Sequence, residues 1–255
     1  MSAQAPVLLD VADGIGQLTF NRPDQGNAMD LAFSQELHRL LQRCADDPTV
    51  RVVLLTGQGR LFCAGGDVQA MGAAADRGAF LSELAGAAHG AIRTLAALTK
   101  PVVAAVQGSA AGAGLSLVLQ SDLVLATQKT TFVTAYSAVG LTPDCGQSWL
   151  LPRVVGLGRA LDMTLTSRRV FAEEALALGL ITRIVEEESL LEQARALARR
   201  LADGPAEAAG QARALLRGGF AAEFDAHLDR EAAMIARMAA SEQADALIEA
   251  FLRGR

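Results

Sequence analysis

A lone acid in apolar surroundings is the first feature of this sequence that chemistry could use. In GLTPDCGQSWLLPRVVG, Asp144 stands between Pro143 and Cys145-Gly146, directly ahead of a helix in which Trp149, Leu150 and Leu151 are expected to be buried. Such an acid has two readings. It caps the helix, as aspartate does at many helix starts, or it serves as a partly desolvated general base. Two glycine-rich junctions of one kind could work beside it. In LFCAGGDVQAM a strand-like approach meets Ala64-Gly65-Gly66, and Asp67 is placed to cap the helix that follows. In AVQGSAAGAGLSLVL the strand VVAAV turns through Gly108 to Gly114 into another helix. Each junction leaves backbone N–H groups without partners at the positive end of a helix, where developing negative charge is best stabilised. Together they would form an oxyanion hole, whereas either alone is an ordinary tight turn.

Other familiar sites are missing from the sequence. His38, His89 and His227 are far apart, with no HExxH or His/Cys ligand spacing, so no metal site is expected. The glycines of GSAAGAG run GxxxGxG, which fits neither the dinucleotide fingerprint nor the phosphate loop, and no nucleotide cofactor is expected either. A GxSxG nucleophile elbow is also absent.

The elements that must position these residues follow from periodicity. VLLDV and IGQLTF flank Asp13-Gly14, a strong hairpin signal. A helix is predicted from about Asp30 to Ala45, with Asp30 as N-cap and Phe33, Leu37, Leu40, Leu41 and Cys44 at helical spacing. VRVVLLTG reads as a buried strand, Phe80 to Leu98 as a helix, and PVVAAVQG as a second buried strand. This alternation favours a parallel sheet. DLVLAT and TTFVT add short strands, and from Gly146 onward the pattern is helical apart from ITRIV. The punctuation at Asp203-Gly204-Pro205 divides an α/β core from a helical extension, whose Ala, Leu and Met positions are more apolar than a solvated helix pair requires.

Composition narrows the function classes. The 255 residues are 51% hydrophobic and 20% charged, enough apolar material for a large core without disulfides or metals. A net charge of -5 argues against neutralising a nucleic acid backbone. The uncharged run from Pro101 to Ser121 is interrupted by Gln107 and three glycines, which makes it a poor membrane span. Asp10 and Asp13 arrive before the apolar run of a secretory signal could form. Cys44, Cys63 and Cys145 are an odd, scattered set, so free thiols in a reducing, cytoplasmic compartment are expected.

At these stretches the chain resembles the enoyl-CoA hydratase/isomerase (crotonase) superfamily. The similarity runs in order through LTFNRPDQGNAMD, LLTGQGRLFCAGGD, KPVVAAVQGSAAGAGLSLVLQSDLVLAT, FVTAYSAVGLTPDCGQSWLLPRVVGLGRALDM and AEEALALGLITRIV. The resemblance implies an α/β fold in which a crotonase-like spiral of ββα turns (1–203) binds acyl-CoA, followed by a carboxyl-terminal helical trimerisation region (204–255). It implies an acyl-CoA thioester substrate whose oxygen is held by two backbone N–H groups, placed by motif position on Ala64 and Ala113. The second is a departure, since the family usually has glycine there. Ala28, Gly65, Asp67, Val68, Gly112, Ser116 and Tyr136 are the positions implied for substrate binding. The family's hydratases add water with two glutamates, and Ser116 and Tyr136 occupy those positions here; neither is a carboxylate. Asp144 falls where isomerase members place a catalytic aspartate. GLTPDCG with AAGAG is most similar to the 1,2-epoxyphenylacetyl-CoA isomerases of phenylacetate degradation.

The resemblance thus implies a CoA-thioester isomerase in which Asp144 moves a proton through an oxyanion-stabilised, enolate-like intermediate, or assists rearrangement of a ring epoxide. No metal or redox cofactor is implied beyond the coenzyme A carried by the substrate. The implied assembly is a homotrimer or a dimer of trimers, without nucleic acid or membrane partners. A hydratase with an atypical acid/base and a non-catalytic acyl-CoA-binding homologue are the alternatives, and the sequence does not choose between a straight-chain 3-enoyl group and an aromatic epoxide.

Overall fold

The computed structural model describes residues 5–253. Strands β1 (Val7–Ala12) and β2 (Ile15–Phe20) form the hairpin that Asp13-Gly14 dictates, with φ of 53° and 77° at the two turn residues. Helix α1 (Leu31–Asp46) is capped by the Asp30 carboxylate, which accepts the Phe33 N–H at 2.8 Å, and it buries the apolar face that its spacing predicts. The chain continues through β3 (Val52–Gly57), the short α2 (Val68–Ala73) and the long α3 (Arg77–Ala97). Next come β4 (Val102–Val106), β5 (Ser109–Ala111), α4 (Ala113–Gln120), β6 (Leu123–Thr127) and β7 (Thr131–Val133). Helices α5 (Gln147–Val155) and α6 (Leu157–Thr166) lead to β8 (Val170–Phe171), α7 (Ala172–Ala177) and β9 (Arg183–Val185). Four helices close the chain: α8 (Leu190–Asp203), α9 (Ala206–Gly218), α10 (Phe224–Ala239) and α11 (Glu242–Arg253).

The large sheet runs β1-β2-β3-β4-β6-β9 and is parallel from β2 onward, as the alternating pattern predicts. Its central strands are buried on both faces, which is why they read as unbroken runs of valine, leucine and alanine. Val53, Leu55, Ala104 and Val106 belong to the main core, where residues of α1, α3 and α4 are buried with them. Val52, Leu54, Val103 and Ala105 point the other way and pack against Leu190, Ala194, Leu197 and Ala198 of α8.

A second layer makes the architecture a spiral. After its long strand each turn contributes a short extended piece and then a helix: β2, Met29 and α1; β3, Cys63 and α3; β4, β5 and α4; β6, β7 and α5. Each short piece pairs parallel with the next turn, Cys63 with Ala110 and Ala110 with Phe132, while Met29 bridges Gly66. The expected ββα spiral and carboxyl-terminal helical region are thus both present. Strand β8, too short to show in the pattern, pairs antiparallel with β7.

The closing helices do not all stand apart from the core. Helix α9 lies against it: Arg213 is buried and donates to the carbonyls of Leu95 and Leu98 at the end of α3 and to Asp122 ahead of β6. By contrast, α10 and α11 contain no buried residue, and Phe224, Leu228, Ile235, Leu247 and Ile248 are exposed on them.

Candidate active site

The two glycine junctions follow the short second-layer segments of neighbouring turns, so pairing Cys63 with Ala110 brings them side by side. Gly65 has φ +97°, and a Cβ there would lie 2.8 Å from the Ala111 carbonyl oxygen and 3.5 Å from the Gly112 Cα. Gly112, at φ 50° and ψ -122°, turns the chain into α4 without a side-chain cap. Both positions need glycine, one for contact and both for backbone angle.

Pairing decides which amides are free. The bridge to Met29 is made by the Met29 N–H to the Gly65 oxygen at 2.7 Å and the Asp67 N–H to the Met29 oxygen at 3.0 Å. In a parallel bridge such bonds bracket the facing residue, so the Gly66 N–H points away from Met29 and has no partner among the described residues. The Ala64 N–H donates to the Gly26 carbonyl at 3.0 Å. This corrects the position expected for the first oxyanion donor, because a proton already bound to a carbonyl is not free for a ligand. The Ala113 N–H, first in α4, is without a partner among the described residues, as expected.

Both junctions open into a cavity of about 320 Å³. Its lining includes Ala64, Gly65, Gly66, Val68, Gly112, Ala113, Tyr136 and Asp144, with an apolar wall from Met71, Leu81, Leu84 and Val139. Three expected substrate-binding residues lie elsewhere. Ala28 is buried and its carbonyl accepts from Arg22. Asp67 caps α2 by accepting the Ala70 N–H at 3.0 Å and pairs with Arg22 at 3.2 Å. Ser116 is fully buried behind the lining.

Asp144 is not a helix cap. Gly146, in the left-handed conformation, caps α5 without a side-chain bond, and only the Asp144 backbone carbonyl reaches the helix, accepting the Gln147 N–H at 2.9 Å. The carboxylate instead accepts the Tyr136 hydroxyl at 2.5 Å. Burial, then the adjacent Asp144 charge, pushes the Tyr136 hydroxyl far above its ordinary range, so it remains a protonated donor. Ala135 and Cys145, the neighbours of this pair, hold positive φ of 64° and 51°, backbone strain concentrated where the two side chains are aimed.

Sequence reasoning missed several parts of this site. Trp149 is 42% exposed, with the Arg153 guanidinium 3.7 Å over its ring, while Gln147 takes the inward position and is fully buried. The left-handed start at Gly146 sets that phase and turns Gln147, Leu150 and Leu151 inward. The Cys145 N–H donates to His89 Nε2 at 3.2 Å, and side-chain atoms of His89, Asp144 and Cys145 all lie within 4.8 Å of one another. Spacing along the chain gave no sign of this trio. Its His89 lone pair is occupied, and burial pushes the Cys145 thiol up, so its donor set is not poised for a metal.

The enoyl-CoA hydratase/isomerase pattern matches residues 10–255. The chain belongs to this family. It is 40% identical to the 1,2-epoxyphenylacetyl-CoA isomerase of Escherichia coli K12 over 234 residues, 88% of this chain and 87% of that one. It is 34% identical to 4-chlorobenzoyl coenzyme A dehalogenase-2 of an Arthrobacter species, over 80% of this chain and 75% of the other. The crystal structure of an enoyl-CoA hydratase from Mycobacterium smegmatis superimposes with a TM-score of 0.92 at 30% identity, covering 99% of this chain and 98% of that one. Members of the family are enzymes that act on acyl-CoA thioesters.

Proposed function

We propose that the protein is a CoA-thioester isomerase in which Asp144 is the single acid/base and the N–H groups of Gly66 and Ala113 hold the thioester oxygen. The observation that carries this reading is the cavity's charge content: Asp144 is the only carboxylate among the described residues lining it, and it faces the same space as the two unpartnered amides. A proton removed next to a thioester carbonyl leaves negative charge on the carbonyl oxygen, where two preorganised donors stabilise it. A single carboxylate then suffices for a 1,3-shift, because the acid formed in the first step returns the proton in the second. Water addition in the family's usual way needs a second carboxylate, and Ser116 and Tyr136 stand at those positions.

The apolar wall accepts either acyl group that the sequence left open. The 40% identity to an epoxyphenylacetyl-CoA isomerase favours the ring epoxide, which would place the enzyme in phenylacetate degradation. On this reading the reaction needs no metal or redox cofactor, and the three free, buried thiols suit a reducing cytoplasm. The exposed apolar face of α10 and α11 supports a trimer or a dimer of trimers.

The test offers the purified protein 2-enoyl-CoA, 3-enoyl-CoA and 1,2-epoxyphenylacetyl-CoA and weighs the products. The expected outcome is an isomer of unchanged mass from the 3-enoyl or the epoxide thioester. Efficient gain of one water by 2-enoyl-CoA, with no isomer from the other two, would contradict the reading.

A further inference from the structure

Gln147 is fully buried, yet its side-chain Oε1 has no hydrogen-bond partner among the described residues. Leaving an amide oxygen dry and unpaired is costly, so a residue doing so at an inward helix position needs an explanation. Its other end supplies one. Nε2 donates to the Gly112 carbonyl at 2.9 Å and lies 3.4 Å from the Ser116 hydroxyl. Rotating the amide by half a turn would set Oε1 against the Gly112 oxygen, two acceptors in contact, so the carbonyl dictates the orientation.

The Gly112 carbonyl belongs to the same planar peptide as the Ala113 N–H, and in a trans peptide the two point in opposite directions. The carbonyl also accepts the Ser116 N–H at 3.1 Å. With the Ser116 hydroxyl also donating at 3.5 Å, three donors grip the oxygen behind the cavity wall, Gln147 the closest, while the amide proton of the same unit faces the cavity. Hydrogen bonds in such chains polarise one another, so donation to the oxygen makes the N–H a stronger donor. Gly112 has no side chain to hold this peptide in place, and its φ of 50° lies in the left-handed region.

We infer that Gln147 is a positioning residue that fixes and polarises the Gly112–Ala113 peptide, and so tunes the second donor of the oxyanion hole; this rests on the thioester-binding reading above. Gln147 touches no substrate in this role. Its effect passes through a backbone N–H that, among substitutions of Ala113 itself, proline alone would remove.

The test uses phenylacetyl-CoA carrying ¹³C at the thioester carbonyl and isotope-edited infrared difference spectra of the bound carbonyl. On the parent protein the stretch is expected to move to lower frequency on binding. In Gln147→Met, which keeps length but has no N–H, at least half of that displacement is expected to vanish. Turnover is expected to drop by about tenfold while KM changes by less than about threefold, the loss of roughly one hydrogen bond's leverage felt mainly in the transition state. Gln147→Glu gives an independent check, since a protonated acid can donate to the Gly112 carbonyl and a carboxylate cannot. Its displacement is expected to be parent-like at acidic pH and reduced at alkaline pH. A parent-sized displacement in the Met variant, or a Glu variant insensitive to pH, would overturn the role of Gln147 alone. No displacement in the parent would overturn the oxyanion reading and this inference with it.

Discussion

At the scale of single residues, the site depends on where protons can and cannot go. Tyr136 stays protonated because its burial and the Asp144 charge both oppose ionisation, so its hydroxyl can only orient the carboxylate that it donates to. Tyr136→Phe keeps the ring and removes that bond. Its expected effect is a drop in kcat of about tenfold with little change in KM, measured by steady-state kinetics on the isomerised thioester. An unchanged kcat would show that Asp144 needs no such support. Asp144 and both glycine junctions stood out by residue type, but on that ground alone Asp144 read equally as a helix cap, and its role as acid/base came from the family resemblance. The choice of Gly66 over Ala64 was not legible, because it depends on Met29 pairing from a distant part of the chain and turning alternate amides in opposite directions. Gln147 was hidden for a related reason: a polar residue beside a tryptophan reads as the outward one until the left-handed turn at Gly146 fixes the helix phase.

At the scale of elements, periodicity found the hairpin, α1, α3, α8 and the buried strands, all of which repeat an apolar pattern long enough to be read. It gave no sign of β8, with two residues, or of how α9 is seated. That helix approaches so closely at Gly210 that an added Cβ would sit 1.7 Å from the Thr99 carbonyl oxygen. Glycine to alanine in a helix interior ordinarily stabilises by up to about 1 kcal/mol. Here the sign is expected to reverse: Gly210→Ala should lower stability by about 2 kcal/mol or more, since backbone must move or α9 must lift from α3. Thermal unfolding of the variant checks this, and a raised melting temperature would mean that α9 is not docked as described. Arg213, on the same helix, donates to four acceptors and would be expected to lose part of that set in the variant.

At the scale of the molecule, the spiral explains why segments far apart in sequence share one cavity. Each turn advances the second layer by one strand, so the loop after Cys63 and the loop after Ala111 become neighbours, and the acid following β7 closes the third side. Helices α10 and α11 bury no residue and leave phenylalanine, leucine and isoleucine side chains exposed, an apolar face of the kind that marks interaction surfaces. The expected state is a trimer or a dimer of trimers, which sedimentation equilibrium measures directly. A stable monomer at micromolar concentration would contradict it. Apolar excess in the carboxyl-terminal sequence pointed to this face. It could not show that α9 belongs to the core and only the last two helices stand exposed.

The central claim, that one carboxylate carries the proton, is tested most directly by Asp144→Asn. Asparagine keeps an oxygen for the Tyr136 hydroxyl to donate to and, since Asp144 caps no helix, leaves the start of α5 untouched. Only basicity is lost. The prediction is a fall in isomerase turnover of roughly a hundredfold to ten-thousandfold, with thioester affinity within a small factor of the parent and melting behaviour unaltered. Turnover within a few-fold of the parent would contradict the account and move the base away from Asp144.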